Sequence, residues 1–382
     1  MIIEMRTGLT RSLLLCGLLG CGVADAERPR ARGMGIRIGT LATGKYNAIT
    51  DVSGVRVGHV TLNRGSGPLE VGKGPVRTGV TAVVPNQDVY LNQVFASAVV
   101  LNGNGEMTGV EWINERGLLE VPVVLTNTLS VGEAYSGVIQ YMLKQNINRV
   151  PLPVVAECYD GGLNDIAGQH VRPRHVIQAI ESATSGHVAE GSVGAGTGMR
   201  AYSYKAGIGT SSRVLGKEKG GYTVGVLVNA NCGRRPELLV AGVPVGRLLA
   251  EQDESAKTRD GSIIILIATD APLIPIQLRR LCTRASLGMA RTGTVSRTSS
   301  GDLILSFSVA HTIPRDKAVM DTVRTLRDRN LTPLFQATVE ATEEAILNAL
   351  CKSDTFVGRD NRTMPGLPLD QVSRILKDHG RL

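Results

Sequence analysis

The chain predicts an α/β fold in which sheets are covered by helices in layers. Strand-like and helix-like segments alternate from residue 47 to the C-terminus. Several strand-like runs are apolar without interruption, above all Ile263-Ile264-Ile265-Leu266-Ile267, the pattern of strands buried on both faces. Glycine is abundant, at 45 of 382 residues, and aromatic residues make up only 3%. That composition suits close-packed layers joined by sharp turns. With 42% apolar residues, the chain can bury the core of one large domain or two ordinary ones.

The elements follow in order. Residues 27–35 (ERPRARGMG) read as a flexible lead. Strands are expected at 47–52 and 55–60, where apolar residues alternate between glycine breaks, and at 79–85, 121–125 and 154–157. Ala134, Val138, Ile139 and Met142 recur at helical spacing, so 130–144 predicts a helix, and 176–183 predicts another. The glycine-rich stretches 191–198 and 206–212 break the pattern. A strand at 224–228 runs into Asn229-Ala230-Asn231-Cys232-Gly233. The charged segment 249–260 (LAEQDESAKTRD) reads as a linker and ends on Gly261-Ser262, at the mouth of the 263–267 strand. An amphipathic helix at 275–287, a strand at 303–309, a long helix at 333–351 and a last helix at 370–377, capped by Asp370, complete the chain.

Several function classes are disfavoured at once. The formal net charge is +8, yet lysines and arginines are scattered, and the densest group is Arg28, Arg30 and Arg32. Nucleic-acid binding needs a concentrated basic face or aromatic platforms, and neither is visible, so no nucleic-acid partner is expected. Arg6 and Arg11 precede an apolar run from Ser12 to Ala24. The run is too short for a membrane span, which takes about 20 residues, but has the length of a signal h-region, and Ala24-Asp25-Ala26 offers a cleavage site. A signal peptide over 1–26 and a soluble periplasmic or secreted product are therefore expected. Leu18-Leu19-Gly20-Cys21 offers the alternative of a lipid anchor at Cys21. The remaining cysteines, Cys158, Cys232, Cys282 and Cys351, lie far apart, and their spacing leaves both pairing and buried free thiols open. No cysteine or histidine spacing suits a metal, and no cofactor is expected.

Two local patterns carry chemistry. Gly194-x-Gly196-x-Gly198 resembles a phosphate cradle but lacks the dinucleotide spacing and the following Gly-Lys-Ser/Thr; glycines there more often serve backbone geometry. Gly261-Ser262 is either a turn feeding a strand or the site of an N-terminal nucleophile. In the second reading the serine hydroxyl attacks its own preceding carbonyl and the ester is hydrolysed. The freed α-amine, with an ordinary pKa of about 7.7–8.0, then acts as base for its own hydroxyl.

The segments NAITDVSGVRVGHVTL (47–62), AECYDGGLND (156–165), GAGTGMRAYSYKAGIGTSSR (194–213), VLVNANCGRRPELLVAGVPVG (226–246) and DGSIIILIATDAPLIPIQLRRL (260–281) resemble the DmpA/BapA family. These are self-processing aminopeptidases of the S58 type, comprising L-aminopeptidase/D-amidase-esterases and β-peptidyl aminopeptidases. The resemblance implies a four-layer αββα sandwich of the DmpA/ornithine-acetyltransferase type, similar in layout to the Ntn hydrolases. It implies self-cleavage of one hydrolase domain into an α-chain, 27–261, and a β-chain, 262–382, with αβ units assembling as homo-oligomers, namely tetramers. It carries Ser262 onto the nucleophile, Asn231 onto the oxyanion-hole amide, Tyr159 onto a second donor there, and Glu157 onto the carboxylate that grips the substrate amine. Ser300 and Asp302 match a Ser-x-Glu pair that orients the nucleophile's amine, with the acid one methylene shorter. His311 stands where relatives carry a different residue and reads as structural. The expected substrate is a small peptide, amide or ester, with a β-amino acid at its N-terminus slightly preferred over an L- or D-residue. An acyltransferase or a non-enzymatic binding protein on the same fold is the rival reading.

Overall fold

The computed structural model describes residues 27–250, 261–315, 320 and 322–382; the expected signal peptide and residues 251–260 lie outside them. Strand β1 (Arg56–Arg64) is followed by β2 (Val76–Val84), β3 (Asn92–Gly103), helix α1 (Val110–Arg116), β4 (Leu118–Leu119), β5 (Val123–Asn127), α2 (Val131–Lys144), β6 (Val154–Cys158) and α3 (Pro173–Glu181). Next come β7 (Arg200–Ala201), β8 (Tyr204–Lys205), β9 (Ile208–Val214), β10 (Thr223–Asn231) and α4 (Val245–Ala250). The C-terminal part holds β11 (Ser262–Thr269), α5 (Pro275–Ala290), β12 (Gly301–Pro314), α6 (Thr332–Cys351), β13 (Phe356–Val357), β14 (Thr363–Met364) and α7 (Leu369–Asp378).

Two sheets face each other. One has the order β1-β2-β5-β6 and the other β4-β3-β12-β11-β10-β9. The neighbours are antiparallel except β5–β6 and β11–β12, which are parallel. Helices α2 and α3 pack on the first sheet, and α5 and α6 on the second. This is the four-layer αββα sandwich. The period of two in β11 explains its unbroken apolar run. Ile263, Ile265 and Ile267 join the core under α5 and α6, with Leu278, Leu281 and Ala345. Ile264, Leu266 and Ala268 join the core between the sheets, with Val80, Ala82 and Leu125. Each aliphatic side chain so buried stabilises the fold by roughly 1.5–3 kcal/mol. Gly209 shows why glycine is needed in the layers: a Cβ there would sit 2.0 Å from the Ala345 carbonyl oxygen, so α6 rests directly on the β9 backbone.

Several expectations change. Residues 27–35 are a strap, not a flexible lead. Arg28 donates to the carbonyls of Cys351 (2.8 Å) and Leu367 (2.6 Å), Arg30 pairs with buried Glu190 (2.7 Å), and Arg32 pairs with Glu344 (2.8 Å). The densest basic group of the sequence is thus consumed by internal acceptors. Residues 47–52 form a 3₁₀ turn over Ile49–Asp51 rather than a strand. Asn47 adopts φ 46, and the Asp51 carboxylate accepts from the backbone N–H of Tyr46 (2.9 Å) and Ala48 (3.0 Å), folding the segment back. Leu249 and Ala250 close α4, with Leu249 buried, so the linker reading fails for those two. Asp370 lies inside the first turn of α7, after Pro368 at the N-cap, where its charge still favours the helix dipole.

Residues 206–212, which break the sequence pattern, contain most of β9. Its hydroxyls and guanidinium are buried but paired: Thr210 Oγ1 accepts from the Ile49 N–H (2.8 Å), Ser212 donates to Asp51 (2.7 Å), and Arg213 pairs with Glu340 (3.1 Å) and Glu344 (2.7 Å). Hydrogen bonding lets polar groups replace an aliphatic run in a buried strand. The 191–198 loop is likewise buried, and its amides are committed. Gly194 N–H donates to Thr61 Oγ1 (2.9 Å), Ala195 N–H to Thr81 Oγ1 (3.1 Å) and Gly196 N–H to the Val193 carbonyl (2.8 Å), so they are not free for a phosphate.

Candidate active site

Three strand ends of the larger sheet meet at Ser262. It opens β11, stands directly opposite Asn231 at the end of antiparallel β10, and lies beside the first residues of parallel β12, where Ile263 is level with Asp302. The apolar strand behind it is what makes the mount rigid. Ser262 is 7% exposed, and its Oγ accepts from the Gly301 N–H at 3.1 Å.

Asn231 is locked in one orientation. Its Oδ1 accepts from the Arg200 N–H (3.1 Å), and its Nδ2 donates to the Tyr159 carbonyl (3.2 Å). The amide therefore presents its NH₂ end to the Gly261–Ser262 peptide. A Cβ built on Gly261 would lie 1.7 Å from the Asn231 carbonyl oxygen and 3.2 Å from Nδ2, which places the bond before Ser262 against this donor. No larger residue fits at 261. Gly261→Ala is accordingly expected to slow any cleavage at 261/262 by at least tenfold, while protein that does become cleaved keeps its turnover; gel densitometry over time and kcat of the cleaved fraction check both.

Beside Ser262, Ser300 Oγ donates to Asp302 Oδ1 at 2.6 Å. Asp302 Oδ2 is buried and makes no close hydrogen bond among the described residues. Burial raises the Asp302 pKa, with the Ser300 hydroxyl pulling it back in part. The shorter side chain still engages Ser300, and the Ser296 hydroxyl and the Ile263 N–H at the start of β11 also pull the Asp302 pKa down.

Glu157 comes from the other sheet, on β6. A Cβ on Gly105 would lie 3.1 Å from Gly301 Cα and 3.3 Å from Glu157 Oε1, so the carboxylate and the residue that donates to Ser262 flank the same glycine. Glu157 is 4% exposed. Its Oε1 accepts from the Glu106 N–H (3.1 Å) and its Oε2 from the Thr128 hydroxyl. Burial raises its pKa, and these two donors offset part of the rise. Tyr159 is half exposed at 52%. Its ring leans over Gly161, where a Cβ would come within 2.5 Å of the phenol oxygen, and it is the Tyr159 backbone carbonyl that meets Asn231.

The structure thus gathers Ser262, Asn231, Tyr159, Ser300, Asp302 and Glu157 around one point. His311 stands apart near the other end of β12, bonded to the Arg324 carbonyl at 2.6 Å. Gly301, Thr128 and the Arg200 amide escaped sequence reasoning because two act through backbone N–H and one through another side chain. The position of Gly301 between Ser300 and Asp302 was the available signal. Cys158, Cys232, Cys282 and Cys351 are all buried and free. Among the described residues no group of three acidic, histidine or cysteine side chains could hold a metal ion.

The model of "Peptidase family S58" matches residues 47–364. The chain is 45% identical to the beta-peptidyl aminopeptidase BapA of Sphingosinicella microcystinivorans, over 97% of each. Among solved structures it is similar to a beta-aminopeptidase of Burkholderia sp., with TM-score 0.86 and 44% identity over 92% of this chain and 99% of that one. It is also similar to the L-aminopeptidase D-Ala-esterase/amidase of Ochrobactrum anthropi, described as a prototype serine aminopeptidase and a new variant among the Ntn hydrolase fold. That match has TM-score 0.85 and 40% identity over 93% and 100%. Serine nucleophile site, αββα layers and near full-length similarity converge: the chain belongs to peptidase family S58 and is a serine aminopeptidase on an Ntn-hydrolase-type fold.

Proposed function

We propose that this aminopeptidase is self-processing and removes N-terminal β-amino acids from short peptides and amides. The observation that carries it is the locked Asn231 amide lying against the peptide bond that precedes Ser262. In the first reaction Ser262 Oγ attacks the Gly261 carbonyl, its proton passes to the Ser262 nitrogen as the C–N bond breaks, and the new amine stays on Ser262. Water then hydrolyses the ester, leaving a carboxylate on Gly261. In the second reaction that amine, in its neutral form, takes the Oγ proton as Oγ attacks the substrate's acyl carbon. Asn231 Nδ2, joined by the Tyr159 hydroxyl, stabilises the oxyanion. The ammonium returns its proton to the leaving amine, and a water deacylates Ser262 by the same route. Asp302, held by Ser300, orients the Ser262 amine. Glu157 receives the substrate's own ammonium, which restricts the enzyme to substrates with a free amine.

The β-residue preference is supported by the names of the relatives, two of which are β-peptidyl or β-aminopeptidases. The L-/D-specific alternative is supported by the Ochrobactrum anthropi neighbour. Parallel hydrolysis of β-alanine, L-alanine and D-alanine p-nitroanilides separates them: fastest turnover of the β-alanine compound is expected, and a preference for either α-residue overturns this choice. The apolar run and Ala24-Asp25-Ala26 support export with removal of residues 1–26.

Glu157 gives a pH signature. Its carboxylate must be ionised to hold an ammonium, and burial raises its pKa. The charged form is then lost as pH falls through a value above the ordinary glutamate range. KM for free-amine substrates is expected to rise on the acid side accordingly, and the effect is expected to vanish in Glu157→Gln, whose KM is high throughout.

A further inference from the structure

The side chain that grips the substrate amine is itself gripped, and the means are local and specific. Glu157 is almost fully buried, and burial works against the charge it needs. Two donors oppose that. The Glu106 N–H is fixed by pairing of the 105–108 segment along β6, where Glu157 N–H donates back to the Glu106 carbonyl (3.2 Å) and Thr108 N–H to the Val155 carbonyl (2.9 Å). The other is the Thr128 hydroxyl, which donates to Oε2.

Thr128 is held in place from behind. It follows the last residue of β5, whose Asn127 is level with Cys158 on β6, so it emerges beside the end of the strand that carries Glu157. Asn127 Oδ1 accepts from the Leu129 N–H (3.1 Å), and Asn127 Nδ2 donates to Thr78 Oγ1 on β2 (2.7 Å). This closes the 3₁₀ turn Thr128–Ser130 that leads into α2. A β-branched side chain on a braced turn has few rotamers to choose from. A carboxylate offers about four lone-pair sites, and the two donors occupy two of them.

Resting on the reading of Glu157 as the amine anchor, we propose that Thr128 is a positioning residue that fixes the Glu157 carboxylate, so that the substrate's ammonium meets an acceptor already oriented. Thr128 sets affinity for the free amine and leaves the chemistry at Ser262 alone. This interaction is uniform binding, present in ground and transition states alike, so its loss appears in KM.

The test is a double-mutant cycle on the cleaved enzyme. Thr128→Val keeps shape and removes the hydroxyl. KM for β-alanine p-nitroanilide is expected to rise about tenfold, the scale of one hydrogen bond to a charged group, with kcat within about twofold and chain cleavage normal. Thr128→Ser is expected to restore KM. In a Glu157→Gln background, Thr128→Val is expected to change KM less than twofold, because Thr128 acts only through Glu157. Wild-type KM in Thr128→Val, or an undiminished effect in the Glu157→Gln background, overturns the inference. So does a joint fall of kcat and chain cleavage that Thr128→Ser fails to repair. If Glu157→Gln raises KM while Thr128→Val does not, the positioning role fails and the amine anchor stands. If Glu157→Gln leaves KM unchanged, the anchor itself fails and Thr128's role falls with it.

Discussion

Ser262→Ala is expected to yield one uncut chain with no measurable aminopeptidase activity. Two losses coincide. Without Oγ there is no attack on the Gly261 carbonyl, so no free amine appears; without Oγ there is also no acyl-enzyme. Loss of a nucleophile in a comparable serine site costs about 10⁶-fold in kcat, and here the catalytic base is lost as well. Intact mass spectrometry and a p-nitroanilide assay of the same preparation read both consequences. Two chains split at 261/262 in the variant, or activity within tenfold of wild type, would falsify the assignment. The substitution itself is mild for the fold. Among the described residues the Ser262 Oγ has one hydrogen bond, from the Gly301 N–H, and the residue sits at the end of a strand whose core contacts begin at Ile263. The variant should therefore fold, and its circular dichroism should match wild type.

Asn231→Ala carries the second-largest effect. Removing one preorganised oxyanion donor costs about 10²–10³-fold in kcat, or roughly 2.7–4 kcal/mol. Because the same amide lies against the Gly261–Ser262 peptide, cleavage is expected to slow by a similar factor. The two rates should fall together, which is how this residue differs from Gly261. The Arg200 N–H and the Tyr159 carbonyl each lose a partner as well. Asn231→Asp tests that part separately: it keeps the acceptor for Arg200 and replaces the donor by a negative charge facing the oxyanion. Its kcat should be at least as low as that of Asn231→Ala. Equal activity of Asn231→Asp and wild type would remove the amide from the mechanism.

What could be read from the sequence follows from where each residue's partners lie. Strands β2 and β11 announce themselves because they are buried on both faces and carry aliphatic side chains to match. Strand β9 and the N-terminal strap do not. Their paired groups are the half-buried Arg30 and Arg32 and the buried Thr210, Ser212 and Arg213, which read as surface until Glu190, Asp51, Glu340 and Glu344 are brought to them from distant segments. Ser262, Asn231 and Glu157 were legible because each lies at or next to a strand end within a distinctive motif. Gly301 and Thr128 were not, since a backbone N–H has no sequence signature and Thr128 matters only through the carboxylate it holds. The ring of Tyr159 against Gly161 is a tertiary choice of the same kind.

The order of the larger sheet has a consequence for the cleaved protein. Strands β11 and β12 both lie beyond residue 261, yet they are inserted between β3 and β10, which lie before it. A cut at 261/262 would place the new chain start in the middle of a continuous ladder, with its two strands hydrogen-bonded on either side to the other polypeptide. The fragments would not be subunits with an interface of their own. They would share one sheet and the cores on both sides of it. Their dissociation would be the same event as unfolding, and neither piece would hold a native fold after the other was removed. Such an enzyme can be nicked at its catalytic centre without loosening it, because the broken bond was never part of what holds the strands together.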